Sequence, residues 1–416
     1  MNIFLLQPLQ NNQLIINNLL LETVLSSLQE KKNSDEPIII NKTLYKYLHK
    51  TKELIDNRID QWDRYKKCTN PYEYIHTIIP NTKQSISTFK PISRSFFKMI
   101  EICKTLEILK NINAECNSFH LAEGPGGFIE ALSYMRNNPN DKYIGMTLID
   151  DSNHNVPGWK KSKHFLDNNS NVFIETGIEK NGDITRSSNL KYCYNKYKNH
   201  HDIITGDGGF DFSYHYPLQE QICNTLILSQ VSFAICMQKK GGTFILKMYD
   251  IFTRFSIDIL FLLSNVYENI HIIKPNTSRF ANSEKYIVCK NFQCNNVDNY
   301  FNLFYKILQK IELNNNTVIN NSIFNFDIPY IYTNKIEEIN SILGQQQIDT
   351  IVSTIYLIDN INNYEKIEHL KKKNIQKCIN WCQKYDIPYT STIFNNNLFL
   401  SNQNRIGKYS TRSKNI

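Results

Sequence analysis

From residue 92 to about 295, short apolar runs rich in β-branched and aromatic residues alternate with stretches whose apolar residues recur at helical spacing. No other feature restricts the fold as much. Strands interleaved with helices build a largely parallel sheet with helices on both faces, an α/β architecture. The predicted strands are 118–122, 143–149, 172–175, 202–205, 242–248, 270–274 and 285–289; helices fit 94–109, 127–136, 218–238 and 253–264. In such sheets ligands sit beyond the carboxyl ends of the strands, where the strand order reverses. Residues that carry chemistry are expected there.

The flanks read differently. Residues 1–91 are expected to be a mainly helical extension: Leu14, Ile15, Leu19, Leu20, Leu21, Val24, Leu25 and Leu28 recur near helical spacing, and 56–67 reads as a charged helix. Pro71, Pro80 and Pro91 then mark a boundary. Residues 296–416 are also expected to be mainly helical, with helices at 301–313 and 364–384, an Asn-rich connection between them, and a basic tail from Asn404. Because a single core rarely exceeds roughly 250–300 residues, the 416-residue chain is expected to hold one main domain, 92–295, with an addition at each end.

The net charge of +8 favours a polyanionic partner. The 10 cysteines contain no CxxC pair. Cys378 and Cys382 are spaced to share a helix face, but no second cluster completes a zinc site, so reduced thiols and no metal are expected. The first residues lack a basic n-region, and the most apolar stretch, 255–266, contains Asp258 and is too short for a bilayer. The expectation is a soluble, intracellular protein, cytoplasmic rather than nuclear, without a membrane partner.

Strand 118–122 runs into Glu123, Gly124, Pro125, Gly126, Gly127 and Phe128 and then into a helix. Glycines let a backbone pass close to a ligand. The free N–H groups of the following helix suit a phosphate or a carboxylate. Alone, this is an ordinary strand–helix turn, and it matches neither GxGxxG nor GxxxxGKS. Other words stand at comparable places. Ser93-Arg94-Ser95-Phe96-Phe97-Lys98 opens a helix, Asp207 follows a strand in GDGGFD (206–211), Lys247 ends a strand led by Gly241-Gly242, and Glu284 lies in SRFANSEKYIVCK (278–290). Singly, each has a plain alternative. Lys98 can be a surface lysine, Asp207 a turn former, Lys247 a strand-end cation, and Glu284 a partner of Lys285.

Together these words resemble a known family. The GPGGF turn resembles the first motif of class I methyltransferases, specifically the FtsJ-like ribose 2′-O branch, whose cofactor is S-adenosylmethionine. That pattern asks, in order, for Ser-Arg-x-x-x-Lys on a helix, an Asp ending the fourth strand, a Lys ending a Gly-Gly-led strand, and a Glu before a strand. Lys98, Asp207, Lys247 and Glu284 match it. GMTL (145–148), GDIT (182–185), GDGGFD and SRFANSEKYIVCK are similar to the words of cap-specific mRNA 2′-O-methyltransferases. The match spans about 92–292.

The resemblance implies a class I methyltransferase (Rossmann-like) seven-stranded sheet with helical amino- and carboxy-terminal additions. It implies methyl transfer from S-adenosylmethionine to a ribose 2′-hydroxyl of RNA, with Lys98, Asp207, Lys247 and Glu284 as the reacting tetrad. Glu123, Gly124, Pro125, Gly126, Gly127, Phe128, Asp150, Asp183 and Asp207 would contact the cofactor, with Asp151 beside Asp150. Arg94 and Arg279, with Lys274, would hold RNA phosphates. Capped mRNA is the foremost partner, with other capping or transcription proteins after it. His120 departs from the pattern, where the family often has an acidic residue; Glu123 is expected to take over the contact with the cofactor's amino group, and His120 to be a satisfied strand residue. Tyr214, Tyr216 and Trp159 are candidates for stacking on bases. Two other readings stand beside this one: a ribosomal or transfer RNA substrate, and a non-catalytic RNA-binding scaffold. Large cytoplasmic DNA viruses carry similar proteins, and the Asn-rich composition suits such a source. No KxDG word is present, so no guanylyltransferase activity is expected.

Overall fold

In the computed structural model the elements run β1 (Asn2–Leu6), α1 (Lys42–Glu53), α2 (Ile59–Thr69), α3 (Ser95–Thr105), β2 (Asn117–Leu121), α4 (Gly127–Arg136), β3 (Lys142–Met146), α5 (Lys163–Asn168), β4 (Val172–Ile174), α6 (Ser187–Tyr197) and β5 (His201–Gly206). They continue with α7 (Gln219–Ile222), α8 (Asn224–Met237), β6 (Gln238–Met248), α9 (Arg254–Val266), β7 (Tyr267–Lys274), β8 (Lys285–Phe292), α10 (Val297–Leu313), α11 (Tyr330–Asp359) and α12 (Tyr364–Lys384). The structure describes residues 2–6, 38–112, 115–150, 152–153, 156–209, 219–313, 322–324, 326–360 and 364–390. The expected helix around Leu14–Leu28, the basic tail, Asp151, Tyr214 and Tyr216 lie outside the described residues.

One eight-stranded sheet has the order β1-β7-β8-β6-β5-β2-β3-β4. Strands β2 to β6 pair in parallel, and β8 runs antiparallel between β6 and β7. Alternate residues of the central strands feed two cores. Phe244 and Leu246 enter one and Ile245 the other, and β8 divides likewise, Ile287 and Cys289 against Tyr286 and Val288. Burial on both faces explains why these strands read as continuous apolar runs rather than as polar–apolar alternation. Helices α6, α8, α9 and α10 cover one face, with part of α11; α3, α4 and α12 cover the other. Helix α8 is buried at every position except Thr225, as a helix apolar all round must be.

Three expectations change. The sheet has eight strands rather than seven, because Asn2–Leu6 of the amino-terminal extension adds an edge strand antiparallel to β7. The extension is therefore not wholly helical, and its Ile39 also forms an antiparallel bridge with Thr253. The stretch read as an Asn-rich connection contains α11, 30 residues long. Its apolar stripe is interrupted by buried Asn340, Gln347 and Thr354. The first two donate side-chain hydrogen bonds to the carbonyls of Ile251 and Ala281. That pattern satisfies polar groups in the fold but blurs helical periodicity in the sequence. Finally, the helix expected over 218–238 is divided into α7 and α8.

Among the described residues no helix is long and apolar enough to cross a membrane. All 10 cysteines are free thiols, and Cys378 and Cys382 are packed in the core against α3 and α4.

Candidate active site

Because β2 to β6 are parallel, their carboxyl ends share one edge of the sheet. The strand order reverses between β2 and β5, whose ends Leu121 and Gly206 are register partners. Strand β8 runs the other way and begins with Lys285 opposite Met248, which brings Glu284 to the same edge. The chain thus gathers residues from five separate stretches at one edge of the sheet.

Four of them form two ion pairs, one buried and one largely buried. Lys98, from α3, lies 2.6 Å from Glu284 Oε1 and 2.8 Å from Oε2. Ser278 donates to Glu284 Oε1 at 2.7 Å. Lys247 Nζ lies 3.3 Å from Asp207 Oδ1 and donates to the Asp207 carbonyl at 2.5 Å. Both lysines and Glu284 are buried. Burial pushes the Lys98 amine down; Glu284 opposes that and Arg94 reinforces it. Burial would raise Glu284, but Lys98, Lys247 and Lys274 hold it well below the usual carboxylate range. Burial also disfavours charge on Lys247, yet Asp207, Tyr249 and Glu284 more than offset this and hold its ammonium above the ordinary value. Two cations and two anions in one place make this burial tolerable, since each charge has a partner.

The glycines serve close approach. A Cβ on Gly209 would stand 2.4 Å from the Tyr249 hydroxyl and 3.2 Å from Lys247 Nζ. A Cβ on Gly127 would stand 2.2 Å from Ser95 Oγ and 2.3 Å from Ser93 Oγ, so glycine there lets the starts of α3 and α4 meet. Gly126 caps α4 with φ +104°, a conformation glycine adopts without penalty. Glu123 is buried beneath this turn. Its Oε1 accepts the Phe128 N–H at 2.6 Å, while Oε2 is buried and accepts no hydrogen bond among the described residues. Burial, and then the charge of Asp207, push the Glu123 carboxyl well above its ordinary value. An orphaned buried acceptor beside the amides of a helix start fits an amino-acid zwitterion, whose ammonium would meet Glu123 and whose carboxylate would meet the α4 N-terminus.

Residues 91–292 match the model of the FtsJ-like methyltransferase family. They are an FtsJ-like methyltransferase domain. Relatives agree. The chain is 32% identical over 244 residues to cap-specific mRNA (nucleoside-2′-O-)-methyltransferase 1 of Ailuropoda melanoleuca, covering 56% of this chain and 28% of that protein. It is 26% identical over 341 residues to cap-specific mRNA (nucleoside-2′-O-)-methyltransferase 2 of Drosophila melanogaster, covering 76% of this chain and 46% of that protein. It is also 30% identical over 191 residues to an inactive cap-specific mRNA (nucleoside-2′-O-)-methyltransferase 1B of Caenorhabditis briggsae, 44% of this chain and 22% of that protein. The chain therefore spans less than half the length of these relatives.

Within the FtsJ-like domain the remaining expected residues divide. Asp183 Oδ1 accepts from the Thr185 N–H and hydroxyl at 2.9 and 2.7 Å, and Arg186 lies 3.5 Å from Oδ2. Asp150 Oδ1 accepts from the Ser152 N–H and hydroxyl at 3.0 and 2.6 Å. Both carboxylates cap their own turns at the carboxyl edge. His120 is a satisfied core residue between Ser118 Oγ at 2.8 Å and Thr205 Oγ1 at 2.9 Å, and burial pushes it down to about 3. Trp159 packs against β3, where a Cβ on Gly145 would collide with its ring at 2.4 Å; it is a buttress of the glycine turn rather than a free stacking surface.

The basic residues also divide. Arg279 is held in place: its Nε and Nη2 make a bidentate pair with buried Glu73, at 2.9 and 2.6 Å. Lys274 is likewise taken, its ammonium donating to Asn282 O, Asn282 Oδ1 and Glu284 O at 2.7, 2.7 and 2.5 Å. Those three bonds use every proton it has. Arg94 is half-buried and makes no hydrogen bond or ion pair among the described residues.

Several positioning residues escape sequence reasoning. Glu101, one turn beyond Lys98, accepts from the Asn276 and Thr277 N–H groups and the Thr277 hydroxyl at 2.9, 3.0 and 2.9 Å, which anchors the segment leading to Glu284. Lys52 of α1 pairs with Asp250 at 2.8 Å, just beyond Lys247. Glu220 accepts the N–H groups of Phe252 and Thr253 at 3.2 and 2.8 Å. Nothing local marks these residues, because each finds its partner in a distant stretch. Tyr286 is the exception: it stands inside the word SEKY, directly after Glu284 and Lys285.

Proposed function

We propose that the chain transfers the methyl group of S-adenosylmethionine to a ribose 2′-hydroxyl of RNA, at the cap-proximal nucleotide of mRNA. One observation carries this reading: Lys98, Asp207, Lys247 and Glu284 converge in two ion pairs, one buried and one largely buried, beside the glycine turn. A domain without catalysis has no physical need to gather three buried charges and the partly buried Asp207 at one edge of the sheet.

S-adenosylmethionine, when bound, supplies an electrophilic methyl group on a positively charged sulfur. Glu123, with its unpaired oxygen, would hold the cofactor's ammonium, and the starts of α4 and the glycine turn its carboxylate; Asp183 would take the adenine amino group and Asp150 the ribose hydroxyls. Lys247 lies beside the 2′-oxygen. Held as an ammonium by Asp207, Tyr249 and Glu284, it acts by stabilising the alkoxide that develops as the proton leaves, rather than by removing that proton in the resting state. Asp207 orients Lys247. Lys98 and Glu284 hold the ribose. Arg94, one turn before Lys98 and without a hydrogen bond or ion pair among the described residues, takes a backbone phosphate, which positions the strand without reading its sequence. Much of the acceleration then comes from holding the hydroxyl in line with the methyl group.

The inactive relative keeps a scaffold reading in view. One assay separates the alternatives. Purified protein is incubated with labelled S-adenosylmethionine and two RNAs that differ only in the cap, and the label is then located. Label on a ribose 2′-oxygen next to the cap, absent from uncapped RNA, is expected. Label on both would mean a broader RNA substrate, and bound cofactor with no label would favour the scaffold.

A further inference from the structure

Tyr286 occupies the centre of the site without belonging to the four residues assigned to the reaction. It is the second residue of β8 and the register partner of Lys247. It is fully buried. Its hydroxyl donates to Asp207 Oδ1 at 3.0 Å, the same oxygen that lies 3.3 Å from Lys247 Nζ. Lys98 Nζ lies 5.9 Å from its ring centroid, and the Phe128 ring of the glycine turn is 5.9 Å away, centroid to centroid. One side chain thus touches Asp207, Lys98 and the cofactor turn at once.

Two consequences follow from chemistry. Burial, with Asp207 and Glu284 nearby, keeps the phenol protonated, so it acts only as a donor. A carboxylate oxygen that already accepts a phenol O–H carries less charge toward a neighbouring ammonium. We propose that Tyr286 is a positioning residue of methyl transfer, whose hydroxyl fixes the Asp207 carboxylate and weakens its hold on the Lys247 proton while its ring seats Lys98. This rests on the reading of the site as one for ribose methylation. The charges that bear on Lys247 come from every side: Asp207 after β5, Tyr249 after β6, Glu284 before β8, Lys98 in α3 and Glu123 after β2. Among these, Tyr286 hydrogen-bonds Asp207 and lies under the Lys98 ammonium.

The test is Tyr286→Phe, which keeps the ring and removes the donor. The alkaline limb of kcat, along which the Lys247 ammonium is lost, measured with labelled S-adenosylmethionine and capped RNA, should move upward by on the order of one pH unit, with cofactor affinity and KM for RNA unchanged. In an Asp207→Asn background the same substitution should produce no further shift. A Tyr286→Phe profile that superimposes on the wild type, whatever its amplitude, overturns the proposal and leaves the hydroxyl a packing feature. A titration of Lys247 by lysine-selective NMR reads the same shift without turnover. If the wild type methylates no RNA, the functional reading fails, and the NMR titration still decides whether Tyr286 governs the Lys247 proton.

Discussion

Lys98 and Glu284 stand 186 positions apart in the chain and meet as a buried ion pair, 2.6 Å from Nζ to Oε1. Removing one member leaves the other charge buried and unpaired, which typically costs about 3–5 kcal/mol. Glu284→Ala should therefore lower stability by about that amount, read from denaturant unfolding. Lys98→Met with Glu284→Leu should cost clearly less than the sum of the two single changes. Additive losses would mean that the pair does not act as a unit.

Lys247 is the other cation. Lys247→Ala should reduce kcat by about 10²–10³-fold, while cofactor affinity, read by calorimetry, stays close to wild type. A fully active variant would remove Lys247 from the reaction.

Gly209 explains part of the GDGGFD word. In Gly209→Ala the new methyl group would stand 2.4 Å from the Tyr249 hydroxyl and 3.2 Å from Lys247 Nζ. Both obstacles are ends of flexible side chains, so the fold can yield by moving them. The expected outcome is nearly unchanged thermal stability with a large drop in kcat, because small misplacement of a reacting group is expensive in rate. Loss of stability with normal kcat would contradict it.

Glu123 makes cofactor binding pH-dependent. Its carboxyl is held well above the usual range by burial and by Asp207. In the folded apo protein it keeps a proton that the unfolded chain loses near pH 4.3, the ordinary Glu value of about 4.3. Its contribution to stability is thus fully present below that value and declines as pH rises toward the raised one. An ammonium at Oε2 favours the carboxylate, so binding should release a proton and tighten as pH rises. Calorimetry in two buffers of different ionisation enthalpy measures the proton. Glu123→Gln should abolish both the release and the added pH dependence; unchanged release in that variant would place the proton elsewhere.

Arg94 makes no hydrogen bond or ion pair among the described residues, whereas Arg279 is held by Glu73. Arg94→Gln should raise KM for RNA and flatten the dependence of log affinity on log salt by roughly 0.7, the contribution of one phosphate on a single strand. Arg279→Gln should instead lower stability by stranding Glu73. An unaltered salt slope in Arg94→Gln would exclude a phosphate contact.

The amino-acid sequence by itself determined the edge of the sheet at which the site lies. Gly124–Phe128, Asp207 and Lys247 each follow or end a strand of apolar, β-branched residues, and parallel strands must bring such ends together. It determined the two-faced sheet too, since strands buried on both sides read as apolar runs. It did not determine which cations stay free. Arg94 and Arg279 look alike in sequence, and only the packing of the amino-terminal extension against the 278–284 segment gives Arg279 its Glu73. Nor did it show β1, five residues whose strand state depends on an open edge of β7, or α11, whose buried polar residues find acceptors far along the chain. Tyr286 reaches Asp207 across 79 positions because β8 inserts beside β6. Local periodicity encodes the elements and their ends; strand order and helix docking, set by the burial of apolar area over the whole chain, decide which polar groups meet.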